Sequence, residues 1–293
     1  MIKCLVLSSG AYEVFLQISA IKLLLDNKYI DFDEIEEYYG TSAGVLTTIL
    51  CTLGLDFETV YNYTIERPWN KLFNIDADKI INSYQNCGIF DRDIFDTGFK
   101  PLFKLADIPV NITLKEYYLK TNKIINIFVT NTSNFSVKKF NYLSDPDLEL
   151  LEAAYMSCAI PVLFKPHKYK ETIYNDGALL CRFPINEAIS EKKYKNDEFF
   201  GITINPRFSN IGSVNDENLF QYVTSYLKNY IENKVLVTAE SVNNNIKILN
   251  IIRRSEDESY IMNLLSDSEF RKNIMEMVKK DIDIFLNDSK GAL

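Results

Sequence analysis

Two hydrophobic rhythms alternate along this chain of 293 residues. Residues 2–8 are dominated by apolar side chains, the pattern of a strand covered on both faces. Residues 15–26 return apolar positions at helical spacing. An acidic stretch at 31–37 leads into a β-branched and aromatic strand at 35–39, and an uncharged apolar helix follows at 43–53. A helix at 56–65 is opened by Asp56 and stopped before Pro68. Residues 70–108 are rich in aromatics and marked by a turn at Asn86-Cys87-Gly88.

The pattern then predicts a short helix at 113–118, a strand at 123–130 and its antiparallel continuation at 137–142. A helix at 146–157, a strand at 171–174 and a helix opened by Pro184 at 184–190 come next. The chain closes with a buried strand at 199–205, a long amphipathic helix at 219–240, a strand at 246–252 and a helix at 267–287. Strands alternating with helices predict an α/β fold: a mostly parallel central sheet with helices on both faces.

Against that frame, Gly40-Thr41-Ser42-Ala43-Gly44 stands out. It reads G-x-S-x-G at a strand-to-helix junction, where a tight turn projects the serine hydroxyl from the sheet. Gly40 and Gly44 suit the strained turn and the close packing of helix on strand. A serine hydroxyl needs a base to become a useful nucleophile. Asp176, in Tyr174-Asn175-Asp176-Gly177-Ala178, ends a short strand and can bring its carboxylate to the same sheet edge. His167, the one histidine, is the single candidate for a histidine triad, and it lies in a basic, proline-marked connection. The residues leave both arrangements open. The aromatics Trp69, Phe73, Phe90, Phe95, Phe99 and Phe103 either pack the core or line an apolar pocket. Asp91, Asp93 and Asp96 read as a charged helix start, since they lack calcium-loop spacing.

Taken in order, five blocks resemble the patatin-like phospholipase family. They are Leu5-Val6-Leu7-Ser8-Ser9-Gly10, the serine elbow, Ile127-Phe128-Val129-Thr130-Asn131-Thr132, the run from Ala153-Ala154-Tyr155 to Pro161-Val162-Leu163-Phe164, and Asp176-Gly177-Ala178 with Phe183-Pro184 downstream. The agreement covers about residues 1–205, and 266–286 is similar to the family's closing helix. The resemblance implies a three-layer fold and a dyad, Ser42 as nucleophile and Asp176 as partner, with no histidine, metal or cofactor. It implies an oxyanion hole from Ser9, Gly10 and Ala11 with the N–H of Ala43, and Gly177 as the second motif's glycine. A phospholipid or other lipid ester would be the substrate, met by peripheral contact with a membrane. The first loop departs from the family's G-G-G-x-[RK]-G: Ser9 to Val14 keeps only the middle glycine, and Glu13 stands where the basic residue belongs. Left-handed backbone at Ala11 or Val14 would be strained, and an acid beside a developing oxyanion is unfavourable. A catalytically weak or inert patatin-like protein that binds lipid or a protein partner is therefore the alternative.

Composition narrows the rest. The length suits one unit, with a catalytic core over about 1–205 and a mainly helical part over about 206–293. A net charge of −8 argues against nucleic acid as a partner. The five cysteines have neither metal nor redox spacing and suit a reducing compartment. The first residues enter a strand at once, so no signal peptide is expected, and no stretch reads as a transmembrane segment. A cytoplasmic protein, peripheral at a membrane and independent of calcium, is the expectation. Oligomeric state has no signature in the sequence.

Overall fold

The computed structural model describes residues 1–206, 219–240, 246–253 and 258–291. In chain order the elements begin with β1 (Cys4–Leu7), α1 (Val14–Asp26), β2 (Glu37–Thr41), α2 (Ala43–Thr52) and α3 (Phe57–Glu66). Next come α4 (Ala77–Asn86), β3 (Gly88–Phe90), α5 (Asp93–Leu105), α6 (Leu114–Thr121), β4 (Ile124–Asn131) and β5 (Ser136–Phe140). They are followed by α7 (Leu150–Cys158), β6 (Val162–Phe164), β7 (His167–Tyr169), β8 (Thr172–Asp176), α8 (Ile185–Ser190) and β9 (Phe199–Pro206). The last are α9 (Leu219–Glu240), β10 (Lys247–Arg253), α10 (Glu258–Ser266) and α11 (Ser268–Gly291).

Strands β10, β9, β1, β2 and β4 pair side by side, all parallel. Strands β5 and β8 pair β4 antiparallel, and β7 pairs β8 antiparallel. Side-chain alternation sorts the two faces. Leu5, Leu7, Tyr38, Ile127 and Ile202 face the larger apolar layer, which includes residues of α1, α2 and α11. Cys4, Val6, Tyr39, Phe128 and Phe199 face a smaller layer with Ile185 and Ala188 of α8. The mostly parallel sheet with helices on both faces follows from this alternation.

Local chemistry accounts for most of the boundaries. Asp56 caps α3 through the Thr59 N–H, and Thr113 with Glu116 forms a reciprocal cap on α6. Asp93 and Asp96 lie in the first turn of α5. The helix expected at 146–157 begins later, at Leu150. Before it, the carbonyls of Pro146 and Leu148 accept the N–H groups of Lys115 and Leu114, which holds the chain in a turn beside α6. Strands β3, β6 and β7 were outside the sequence prediction. Each has three residues, too few to display a period. Strands β3 and β6 form a separate parallel pair. Helix α5 supplies the helix whose charged start the aspartates marked, and α4 and α10 add to the pattern in stretches where the sequence drew no elements.

Candidate active site

Pairing register brings Ser42 and Asp176 together. Strand β4 has two edges. Strand β5 takes one, since its pairing at Ile127 to Asn131 overlaps both other partners. Strands β2 and β8 therefore share the other edge, end to end. Thr41, the last residue of β2, pairs with Phe128, and Asp176, the last residue of β8, pairs with the next residue, Val129. Ser42 would face Val129 if β2 continued. Instead the chain turns out of the sheet there, and Asp176 arrives in its place. Gly177 closes the junction: a Cβ on it would lie 2.2 Å from the Phe128 carbonyl oxygen and 2.9 Å from Thr41 Cγ2.

The turn at Ser42 is strained. Its φ of 54° and ψ of −120° are rarely adopted by a residue with a side chain. Packing and hydrogen bonds hold it. A Cβ on Gly44 would lie 2.3 Å from the Leu7 carbonyl oxygen, so only glycine lets α2 approach β1 this closely. The Ser42 N–H donates to Ser157 Oγ at 2.9 Å, and the Ser157 hydroxyl donates to the Phe128 carbonyl at 2.6 Å. Ser157 thus ties the elbow to the neighbouring strand. It sits in a block quoted for the resemblance, but nothing in its spacing marked it for this task.

The Ser42 hydroxyl donates to Asp176 Oδ2 at 2.8 Å. The other carboxylate oxygen accepts the Ala178 N–H at 2.8 Å. The Asp176 main chain is fixed too: its N–H donates to the Ala159 carbonyl at 3.0 Å, and its carbonyl accepts the Thr130 hydroxyl at 2.9 Å. Burial pushes the Asp176 pKa up to about 7, against the lowering effects of the Ala178 N–H, the Ser42 hydroxyl and the Arg182 charge. His167 is engaged elsewhere. Its Nε2 lies 2.7 Å from Glu152 Oε1, and its ring packs edge-on against Tyr155.

The first loop carries the strain expected at Ala11, whose φ is 46°, but not at Val14, whose φ is −49°. Ser9 lines the cavity beside Ser42, yet its N–H already donates to the Arg182 carbonyl at 2.9 Å. It anchors the loop and does not face a substrate as a donor. Among the described residues, the N–H groups of Gly10 and Ala11 are in no hydrogen bond. Gln17 braces the loop from below: Nε2 donates to the Ser8 carbonyl at 2.7 Å, and Oε1 accepts the Thr47 hydroxyl at 2.6 Å. Because Ala11 already follows a glycine-type path, Ala11→Gly is expected to raise stability by up to about 1 kcal/mol. Thermal melting reads the gain, and turnover on a soluble ester should stay within about twofold, since the donors do not move.

Glu13 departs from its expected role. The carboxylate is buried between two arginines, with Oε1 at 2.9 Å from Arg253 Nη1 and Oε2 at 3.9 Å from Arg182 Nη2. It lies so close over Gly10 that a Cβ there would meet Oε2 at 2.1 Å. The acid is a clamp between the loop, the segment after Asp176 and β10. Its charge is met by guanidinium groups before it reaches the reacting centre.

Two cavities meet at Ser42. One, of about 330 Å³, is lined almost wholly by apolar groups, including Trp69, Phe73, Phe90, Phe95 and Phe99. Phe103, the sixth aromatic in question, is in the core. The other, of about 440 Å³, is more polar. It is lined by Gly10, Ala11, Asp176, Arg182 and Arg253, with Gln221, Thr224 and Ser225 of α9. Ala43 lines the first cavity, and Ala11 and Ser42 border both.

The patatin-like phospholipase family matches residues 5–189, a stretch running from β1 into α8. Probable lipid hydrolase 463L of Invertebrate iridescent virus 6 is 30% identical over 197 residues, 66% of this chain and 66% of that protein. Uncharacterized protein R571 of Acanthamoeba polyphaga mimivirus is 24% identical over 192 residues, 63% of this chain and 60% of that protein. The similarity thus spans less than two thirds of either relative. Among solved structures, VipD from Legionella pneumophila superposes with a TM-score of 0.54 over 95% of this chain and 67% of that one, and at 14% identity the likeness is one of fold. The match holds the elbow, the Asp-Gly-Ala motif and the strand register that joins them, and on that ground the chain belongs to the patatin-like phospholipase family.

Proposed function

We propose that this chain is a lipid acyl hydrolase that cleaves carboxylic esters of phospholipids through an acyl-enzyme on Ser42. One observation carries the reading: the Ser42 hydroxyl donates to Asp176 at 2.8 Å, where the apolar cavity joins the polar one. An ester at this junction has its acyl chain among the aromatics and its alcohol portion among the polar side chains. Ser42 Oγ attacks the carbonyl carbon while its proton passes to Asp176 Oδ2. The oxyanion is received by the N–H groups of Gly10, Ala11 and Ala43, aided by the positive end of α2. Collapse expels the alcohol, which takes the proton from Asp176. Water then repeats the sequence on the acyl-serine. A base with a pKa near 7 suits both halves of that cycle.

In this scheme backbone donors meet the developing charge, so turnover is expected to persist in chelator. The protein meets its substrate at a bilayer surface; no helix among the described residues is long and apolar enough to cross a membrane. The intact Ser42–Asp176 bond favours activity over the inert alternative. A fluorophosphonate probe is expected to label wild type and His167→Ala alike and to leave Ser42→Ala unlabelled. Equal labelling of Ser42→Ala would overturn the nucleophile assignment, and loss of labelling in His167→Ala would restore the triad.

A further inference from the structure

Two helices beside the site turn apolar or aromatic side chains outward. In α4, the half-buried residues are Lys79 and Ser83, one helical turn apart, and no described side chain of the helix is buried. Its apolar residues, Ile80, Ile81 and Tyr84, form a stripe on the other side and are exposed. A ten-residue helix is marginal in water and is ordinarily stabilised by burying its apolar stripe. Here that stripe has no cover among the described residues. In α9, Gln221, Thr224, Ser225 and Ile231 line the polar cavity. Tyr222, Tyr226 and Tyr230, at successive turns on the opposite side, are exposed.

The two helices bracket the entrance. Helix α9 packs against β6, β6 pairs with β3, and β3 packs against α4. The segments that flank α4 in sequence, with Phe73 and Ile75 before it and Phe90 after it, line the apolar cavity. Ile75, exposed and lining that cavity, lies five residues before Ile80 and joins the stripe to the proposed acyl site along the chain.

We infer that the outer sides of α4 and α9 form a docking surface for the interfacial zone of a zwitterionic lipid bilayer. The inference rests on the lipid hydrolase reading and specifies where that enzyme meets its substrate. Isoleucines on α4 enter the acyl boundary, and the α9 tyrosines sit at headgroup level, where amphipathic rings partition. An acyl chain then passes from bilayer to cavity along Ile75 and Phe73 without crossing water. A second copy of the chain on this surface would instead shut the entrance. The charge of −8, with Asp76 and Asp78 flanking the stripe, disfavours an anionic surface.

The test uses vesicles of phosphatidylcholine and of phosphatidylserine, with Ile81→Asp/Tyr84→Asp as the variant. These side chains are 70% and 91% exposed, so the fold should tolerate the change. Wild type and Ser42→Ala are expected to co-sediment with phosphatidylcholine vesicles, with little dependence on salt. The double variant should lose binding and at least about tenfold of vesicle hydrolysis, while turnover of a soluble short-chain ester stays unchanged. Vesicle binding by Ser42→Ala that is lost in the double variant supports the surface even if wild type hydrolyses nothing, an outcome that would sink the hydrolase reading alone. Undiminished vesicle binding by the double variant would overturn the inference. So would a lipid-free dimer that the same variant dissociates, or binding confined to phosphatidylserine.

Discussion

Asp176→Asn is expected to lower turnover by at least about a thousandfold and, above pH 7, to make the protein more stable. Both effects come from one buried carboxylate. Asparagine can keep the bond from the Ala178 N–H, but it cannot take the Ser42 proton. The loss should match that of Ser42→Ala, because members of one catalytic unit do not contribute additively. The stability effect follows from the folded-state pKa of about 7, raised from the ordinary carboxylate value by burial. A raised acid binds protons more tightly in the folded state. Its contribution is fully present below about pH 4 and is lost as pH rises through about 7. Wild type therefore carries a buried charge at high pH that the asparagine variant lacks. The difference is on the order of 4 kcal/mol at pH 8 and should vanish near pH 4. Urea denaturation of both proteins across that range checks the sign. The same titration predicts that wild-type kcat/KM falls below about pH 7, as the base becomes protonated. A variant no more stable than wild type at pH 8 would mean that Asp176 is ionised at little cost.

The second large effect is expected at Glu13, with a sign opposite to the one its sequence position suggests. Glu13→Arg restores the family's basic residue, and in an open loop it would favour an oxyanion. In this fold it would place a third guanidinium beside those of Arg182 and Arg253, all three buried. Breaking a buried ion pair costs about 3–5 kcal/mol, and like charges add to that. The variant is expected to unfold at markedly lower denaturant and to lose turnover with the loop's placement. Pairing it with Arg253→Glu should recover part of the stability, since the 2.9 Å contact is re-formed with its ends exchanged. A Glu13→Arg variant as stable as wild type would show that the cluster does not hold the loop. Arg253 lies in β10, beyond the stretch matched to the family, so this clamp draws on a part of the chain outside that match.

Much of this molecule is written in local pattern. The parallel strands β1, β2, β4 and β9 are mostly apolar and aromatic segments between helices, and the hydrophobic pattern finds them within a few residues. The elbow is partly local: Gly40 is needed by the turn itself, where a Cβ would lie 2.9 Å from the Gly44 carbonyl, whereas Gly44 is needed by the close approach of α2 to β1. Asp176 could be chosen because an acid at a strand end before glycine is chemically conspicuous. Ser157 and Gln17 could not. Each sits inside a helix and does its work through bonds to other segments, Ser157 to the elbow and Gln17 to the first loop and to Thr47 of α2. The three-residue strands escaped for a similar reason, as they are defined by their partners and not by their own composition.

The sequence by itself determined the alternation of strand and helix and the strained serine turn, and it offered Asp176 and His167 as candidate partners for Ser42. Those are matters of neighbouring residues, of period and of chain geometry. Only the tertiary structure decided that β8 follows β2 along one edge of β4, which sets the Ser42–Asp176 distance. It also decided what Glu13 does. A carboxylate's effect depends on which charges surround it and on how little water does, and its two arginines lie 169 and 240 residues further along the chain.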